Sequence, residues 1–399
     1  MFISQPNVNN SLKSIKVYYL ILGGTTAIFN PFINLFFSRQ GLNGLEIGAV
    51  NGLAAIVSML MAPVWTRHSQ NSGRPRTILQ VTTLISGAFA LVLGYQNTFV
   101  WILVFMTLRS IFFSGTAPMS DAMVVQVTGS GKAGFGSVRL FTSLGWAVVV
   151  VAGGWLMGSW GMGVVFWGNV ALSLAAVLVL FGVLEQNEPP VERPDQVRED
   201  QVSLARVVNY LYKNPVMVGI GITLALQNFC SSGVNQFENI FVARLGGTEL
   251  DIGVVNMVGA LIEVPSMLWA DRLVRKLGGN RVLMDGLILY GILRGAVFVF
   301  PAIWMIIITR AFGGISLSFY LVGLIRAISE QINHKELSTA LAVFMITLPG
   351  LINFFATPSA GYLFDLFGGK WLYLIASAGC VLGVIVLKMT GAPLKNEPS

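Results

Sequence analysis

Leu45-Glu46-Ile47-Gly48-Ala49-Val50-Asn51 and Leu250-Asp251-Ile252-Gly253-Val254-Val255-Asn256 are one pattern written twice, 205 positions apart. The same register runs without a gap over residues 30–76 and 235–281. Asn30-Pro31-Phe32-Ile33-Asn34-Leu35-Phe36 lies over Asn235-Gln236-Phe237-Glu238-Asn239-Ile240-Phe241. Arg39, Arg67, Gly73 and Arg76 fall on Arg244, Arg272, Gly278 and Arg281. Two copies of a multi-helix unit in the same orientation, in a chain this apolar, predict two bundles related by duplication. Such an architecture binds a solute between its halves and rocks one against the other.

Of 399 residues, 54% are hydrophobic and 11% charged. Soluble domains carry about 25% charged residues, so this chain is expected inside a bilayer. A spanning helix takes roughly 20 apolar residues, and twelve apolar stretches lie between residues 15 and 389. The expected fold is an all-α membrane protein, twelve transmembrane helices in two pseudo-symmetric six-helix bundles. Its parts are an N-terminal bundle over 1–184, a cytoplasmic linker over 185–214 and a C-terminal bundle over 215–399. The linker opens Glu185-Gln186-Asn187-Glu188-Pro189-Pro190, and a short interfacial helix is expected after Ser203. The polar, Asn-rich start is unlike a cleavable signal. Cys230 and Cys380 both sit in apolar runs, so no disulfide is expected. Gly48 and Gly52, Gly154 and Gly158, and Gly291 and Gly295 have the spacing that lets helices approach closely.

Basic residues set the orientation. With the N-terminus inside, nineteen of the 25 Lys and Arg residues fall in inner segments. Arg39, Arg244 and Lys370 are outside, and Arg109, Arg294 and Arg310 lie within spans. Both termini are therefore expected in the cytoplasm, and the net charge of +7 reflects inner loops rather than nucleic-acid binding.

An ionisable side chain in a span is costly unless paired or hydrated, so each is a site candidate. Asp121 lies nine residues before Ser130 and Arg139 nine after it, in the hairpin turning at Gly129-Ser130-Gly131-Lys132. The two are expected at one depth, either to bind a polyol or anion or to form a static bridge. Trp146, seven residues beyond Arg139, shares its helical face and suits stacking on a sugar or aromatic ring, or packing. Glu263, whose repeat partner is Ser58, is the candidate proton carrier, with Arg294 in the next span as its expected partner. A structural pair is the competing reading. Arg109 and Arg310 hold similar places in the fourth and tenth spans, where they attract an anionic solute or neutralise Glu238, Glu263 or Asp121. Asn30 and Asn34, like Asn235 and Asn239, are four apart and suit lining a hydrated cavity, and Ser231 extends the second stripe. Glu238, one residue off that stripe, is expected at the outer rim.

His68 and His334 are not spaced as metal ligands, and no phosphate-binding loop is present. Neither an enzyme nor an ATP-driven pump is indicated, and no cofactor or metal is expected.

Gly115-Thr116-Ala117-Pro118-Met119-Ser120-Asp121-Ala122 and Phe135-Gly136-Ser137-Val138-Arg139-Leu140-Phe141-Thr142-Ser143-Leu144-Gly145-Trp146 resemble segments of the major facilitator superfamily, in its lactose permease-like and nucleoside-symporter-like branch. The likeness covers nearly the whole chain. It implies the sugar-holding roles of that permease's Glu, Arg and Trp for Asp121, Arg139 and Trp146. The permease's proton-handling acids and His fall on Val234, Ala260, Gly313 and Ser316. Its tenth-helix Lys falls on Arg310, and Arg294 lies within a residue of its ninth-helix Arg. Glu263, one turn beyond Ala260, can take over protonation. Gln70 stands where the superfamily usually has an Asp, whereas Asp271 keeps the pattern in the second half.

The expected function is secondary active transport of a sugar-, nucleoside- or aromatic-acid-like solute by alternating access, coupled to protons. Asp121, Arg139, Trp146, Arg109, Asn34 and Asn239 would bind solute, and Glu263, Arg294 and Arg310 would couple it. The expected partners are the solute, protons and the lipid bilayer, without nucleic acid, and the chain is expected to act as a monomer in a bacterial inner membrane. The alternatives are a proton-independent facilitator or exporter, and a non-transporting receptor or assembly factor.

Overall fold

Asn43 and Glu46 close a capping box: the Asn43 backbone N–H donates to the Glu46 carboxylate at 2.9 Å, and the Glu46 N–H donates to Asn43 Oδ1 at 2.8 Å. Their repeat equivalents, Thr248 and Asp251, make the same reciprocal pair at 2.7 and 3.3 Å. Just before each box the chain turns through a glycine with positive φ, 89° at Gly41 and 88° at Gly246. The duplication read from the sequence is therefore a duplication of helix starts.

The structure, a computed structural model, describes residues 5–128, 132–183, 214–332 and 334–390. The predicted linker and its interfacial helix lie almost wholly outside these residues, as does most of the hairpin turn at 129–131. The helices are α1 (Gln5–Arg39), α2 (Gly44–Ser72), α3 (Pro75–Leu93), α4 (Phe99–Phe113), α5 (Thr116–Thr128), α6 (Lys132–Trp160) and α7 (Gly163–Leu180). They continue with α8 (Pro215–Arg244), α9 (Glu249–Leu277), α10 (Gly279–Val299), α11 (Ile303–Ser329), α12 (His334–Ala342), α13 (Leu348–Phe367) and α14 (Gly369–Met389). Among the described residues, 12 helical segments are long and apolar enough to cross a membrane. In a hydrocarbon environment the backbone has no water to bond, so a helix that satisfies its own groups is the form these segments must take.

Two expected spans are not uniform α-helices. The fourth breaks at Ser114 and Gly115 into α4 and α5. The eleventh carries a π-helical segment, Val343–Thr347, between α12 and α13. Pro349 has no N–H to donate, and the widened turn meets it by sending the Leu348 N–H to the carbonyl of Val343, five residues back.

The chain forms two units. Unit 1 comprises Met1–Leu42, Leu53–Glu192 and Gly246–Met257, and unit 2 comprises Asn43–Gly52, Arg193–Leu245 and Val258–Ser399. In unit 1, α1 packs on α6 and α7, and α3 on α4 and α7. In unit 2, α8 packs on α13 and α14, and α10 on α11 and α14. This is the same packing pattern, and with it the fold is two six-helix bundles.

Small residues set how closely these helices meet. A Cβ at Gly23 would strike the Thr142 carbonyl, and one at Gly145 the Leu20 carbonyl, so α1 and α6 touch backbone to backbone. The predicted pair at Gly154 and Gly158 splits: Gly154 lies against the Glu249 carbonyl, whereas Gly158 faces open space. Within unit 2, Asp365 of α13 accepts from the Gly44 and Leu45 N–H groups at 2.9 and 3.2 Å, capping α2, and the Thr357 hydroxyl donates to the Gly48 carbonyl at 2.8 Å.

Candidate functional site

In unit 1 the close crossing of α1 and α6 brings Tyr18 and Tyr19 to the polar residues of α5. Tyr19 donates its hydroxyl to Asp121 Oδ1 at 2.7 Å, and the hydroxyls of Tyr18 and Ser120 are bonded at 2.8 Å. A phenol in a bilayer needs a polar partner, and a carboxylate is a strong one. Asp121 is half-buried and Arg139 exposed. Arg139 lies within electrostatic range of Tyr19, but among the described residues no ion pair joins it to Asp121. The direct Asp121–Arg139 bridge left open by the sequence is thus not formed. Equal depth in a hairpin fixes height and leaves the side chain free to turn to a third helix. Trp146 is half-buried on α6.

In unit 2 Arg310 pairs with Glu238, one of the acids the sequence offered it. Glu238 is buried, 4% exposed, and not a rim charge. Arg310 engages Glu238 Oε1 with both Nε and Nη2, and Tyr373 donates to Oε2 at 2.7 Å. Burying an ion pair is tolerable only with such extra hydrogen bonds. Three helices, α8, α11 and α14, are tied through one carboxylate. Arg294 Nη1 donates to the Ser231 hydroxyl at 2.6 Å and to Cys380 Sγ at 3.6 Å, and its guanidinium carbon lies 4.4 Å from the Tyr290 ring centre. Cys380 in turn donates to Gln227 Oε1 at 3.1 Å. Glu263 is half-buried, and it, Arg294 and Arg310 are all within electrostatic range of Tyr290.

Arg109 of α4 is 3% exposed. Its guanidinium carbon lies 3.7 Å from the ring centre of Phe29 and 4.8 Å from that of Phe113. Asn34 is buried and Asn239 half-buried, whereas Asn30 and Asn235 are exposed.

Sequence reasoning missed three phenols, Tyr19, Tyr290 and Tyr373. The available signal was a tyrosine placed well inside an apolar span, which must find a polar partner there.

A family model described as "MFS_1 like family" matches residues 12–375. The maltose permease of Geobacillus stearothermophilus is 24% identical over 380 residues, covering 93% of this chain and 92% of that protein. A Lactococcus lactis homologue of the multi-drug resistance efflux pump PmrA is 26% identical over 281 residues, 67% of each chain. The crystal structure of the nucleoside transporter NupG superposes with a TM-score of 0.82 at 14% identity, covering 96% of this chain and 99% of that one.

Proposed function

The chain belongs to the MFS_1 like family, and from that premise we propose that it is a proton-coupled symporter of a small organic solute. The coarser part of this reading stands on the fold and the family: an integral, multi-pass membrane protein that moves small solutes by alternating access and is not an enzyme. Coupling, solute and direction are the proposal. The matched relatives carry the names of a sugar permease and a drug efflux pump, and the matched structure that of a nucleoside transporter. A sugar-, nucleoside- or aromatic-acid-like solute fits the side chains available.

The observation that carries coupling is Glu238, buried between Arg310 and Tyr373. A carboxylate held by a cation in one arrangement and released from it in another takes up and loses a proton as the protein changes state. Arg310 supplies the charge that competes with the proton. Glu263 is the second carboxylate able to serve, with Arg294 beside the same phenol. In unit 1, Asp121, Arg139 and Trp146 offer an acceptor, a donor and an aromatic face to the solute, with Asn34 and Asn239 as further polar contacts. The charge bias of the loops supports cytoplasmic termini, and the bacterial relatives support an inner membrane.

A second reading is a proton-independent facilitator: the resemblance to the lactose permease-like branch implies Val234, Ala260, Gly313 and Ser316 at the places of its proton-handling residues, and none of the four has a titratable side chain to carry a proton.

Proteoliposomes with an imposed pH gradient decide between them. A panel of sugars, nucleosides and aromatic acids is tested on wild type, Glu238→Gln and Glu263→Gln. Solute-triggered proton uptake that one variant loses supports symport and identifies the carrier. Solute uptake indifferent to the gradient, in wild type and in both variants, supports the facilitator.

A further inference from the structure

Arg109 and Arg310 occupy similar places in the fourth and tenth spans, yet they differ in what they hold. Arg310 presents the edge formed by Nε and Nη2 to the carboxylate of Glu238. On Arg109 the same two atoms, Nε and Nη2, are buried and have no hydrogen-bond partner. In a guanidinium these two nitrogens point their hydrogens in parallel, forming the fork that matches the two oxygens of a carboxylate or phosphate. Among the described residues none of the ion pairs includes Arg109. The nearest acid along its span, Asp121, accepts from Tyr19.

A buried guanidinium without a counter-charge is costly in a membrane protein. Phe29 and Phe113 offset part of that cost through their ring faces. They cover the flat of the group but give the edge no acceptor, because a ring face offers no lone pair to an N–H. In the same span, beyond the break at Ser114 and Gly115, the buried hydroxyl of Thr116 also lacks a partner. The Arg109 edge is thus a buried donor pair that the protein itself does not complete.

We propose that Arg109 is an anion-recognition group, and that its Nε–Nη2 edge takes the carboxylate or phosphate of the transported solute while Phe29 and Phe113 hold the guanidinium plane. This narrows the solute to an organic anion and rests on the reading of the protein as a solute transporter. The same chemistry could be met by a free inorganic anion, and the test separates the two.

Purified full-length protein is melted at constant ionic strength in sodium formate, sodium phosphate or sodium chloride, as wild type, Arg109→Gln and Arg109→Lys. Wild type is expected to gain several degrees in formate or phosphate over chloride. Arg109→Gln is expected to melt above wild type in chloride and to lose the anion dependence. Arg109→Lys, which keeps the charge without the fork, is expected to retain only part of it. Equal stabilisation by chloride would assign the edge to a medium anion, and an unchanged anion response in Arg109→Gln would remove Arg109 from it. Either result overturns the proposal, as does a wild type that ignores all three anions.

Uptake by proteoliposomes of a carboxylate panel beside the neutral amides of the same compounds supplies the second arm. At least a tenfold preference for the acids, lost in Arg109→Gln, is expected. If the protein moves the neutral compounds equally well, the proposal fails and the transport reading survives. If nothing is moved, the transport reading fails, and the melting series still judges the anion site.

Discussion

Tyr373 donates its phenolic hydrogen to Glu238 Oε2 at 2.7 Å, on the side of the carboxylate that Arg310 leaves open. The two partners are not equivalent. Tyr373→Phe removes one hydrogen bond to a charged group and is expected to cost about 1.5–3 kcal/mol. Glu238→Gln strands the Arg310 charge, and because the Arg310 side chain is 35% exposed the cost is expected near or below the low end of the range of about 3–5 kcal/mol for a fully buried broken pair. Denaturation of the purified variants in detergent ranks them. A larger loss for Tyr373→Phe would mean that the phenol, and not the ion pair, anchors the three helices.

Asp121 accepts from Tyr19, Arg139 lies within electrostatic range of the same phenol, and the proposed site gives each a part in binding solute. Asp121→Asn and Arg139→Ala are each expected to abolish uptake while the proteins elute and melt as folded. Tyr19→Phe is expected to weaken uptake less, since Asp121 keeps its charge. Uptake assays with parallel size-exclusion profiles check this, and full transport by both Asp121→Asn and Arg139→Ala would remove them from the site.

The helix count and the duplication were legible because each is written in unbroken runs of sequence; the capping boxes at Asn43 and Glu46 and at Thr248 and Asp251 went unread although their members are only three residues apart. The pairings were less legible. Glu238 looked like a rim charge because it sits one residue off a polar stripe. The phenol that completes its site comes from α14, 135 residues away. Arg294 was read with Glu263 because the two lie in adjacent spans, and its hydrogen bond to Ser231, 63 residues back, went unread. Periodicity says which face of a helix is polar. It does not say which helix that face will meet.

The contact between α1 and α6 makes a sharp comparison of glycines. Gly145→Val places a side chain into the Leu20 carbonyl and is expected to cost at least about 1–3 kcal/mol through overpacking. Gly158→Ala, on the same helix but facing open space, is expected to stabilise by about 0.4–1 kcal/mol through loss of unfolded-state freedom. Melting temperatures of the two variants should move in opposite directions.

Asp365 caps a helix to which it is not connected by sequence. Asp365→Ala leaves the Gly44 and Leu45 N–H groups without their acceptor and is expected to cost about 0.5–2 kcal/mol. Asp365→Asn keeps an acceptor but loses the charge that favours a helix N-terminus, so it should fall between wild type and Asp365→Ala. Chemical denaturation of the three proteins tests that order.

The widened turn at Val343–Thr347 acts as a phase setter for everything after it. An α-helix advances about 100° per residue. Removing one residue from this segment would therefore let the helix run through in normal register but swing each later side chain by about that angle. Thr357 would leave the Gly48 carbonyl and Asp365 would leave the start of α2, although neither is altered and both lie at least ten residues downstream. A single extra residue around Pro349 thus indexes a whole helix, and chain length at that point is as much a part of the fold as any side chain.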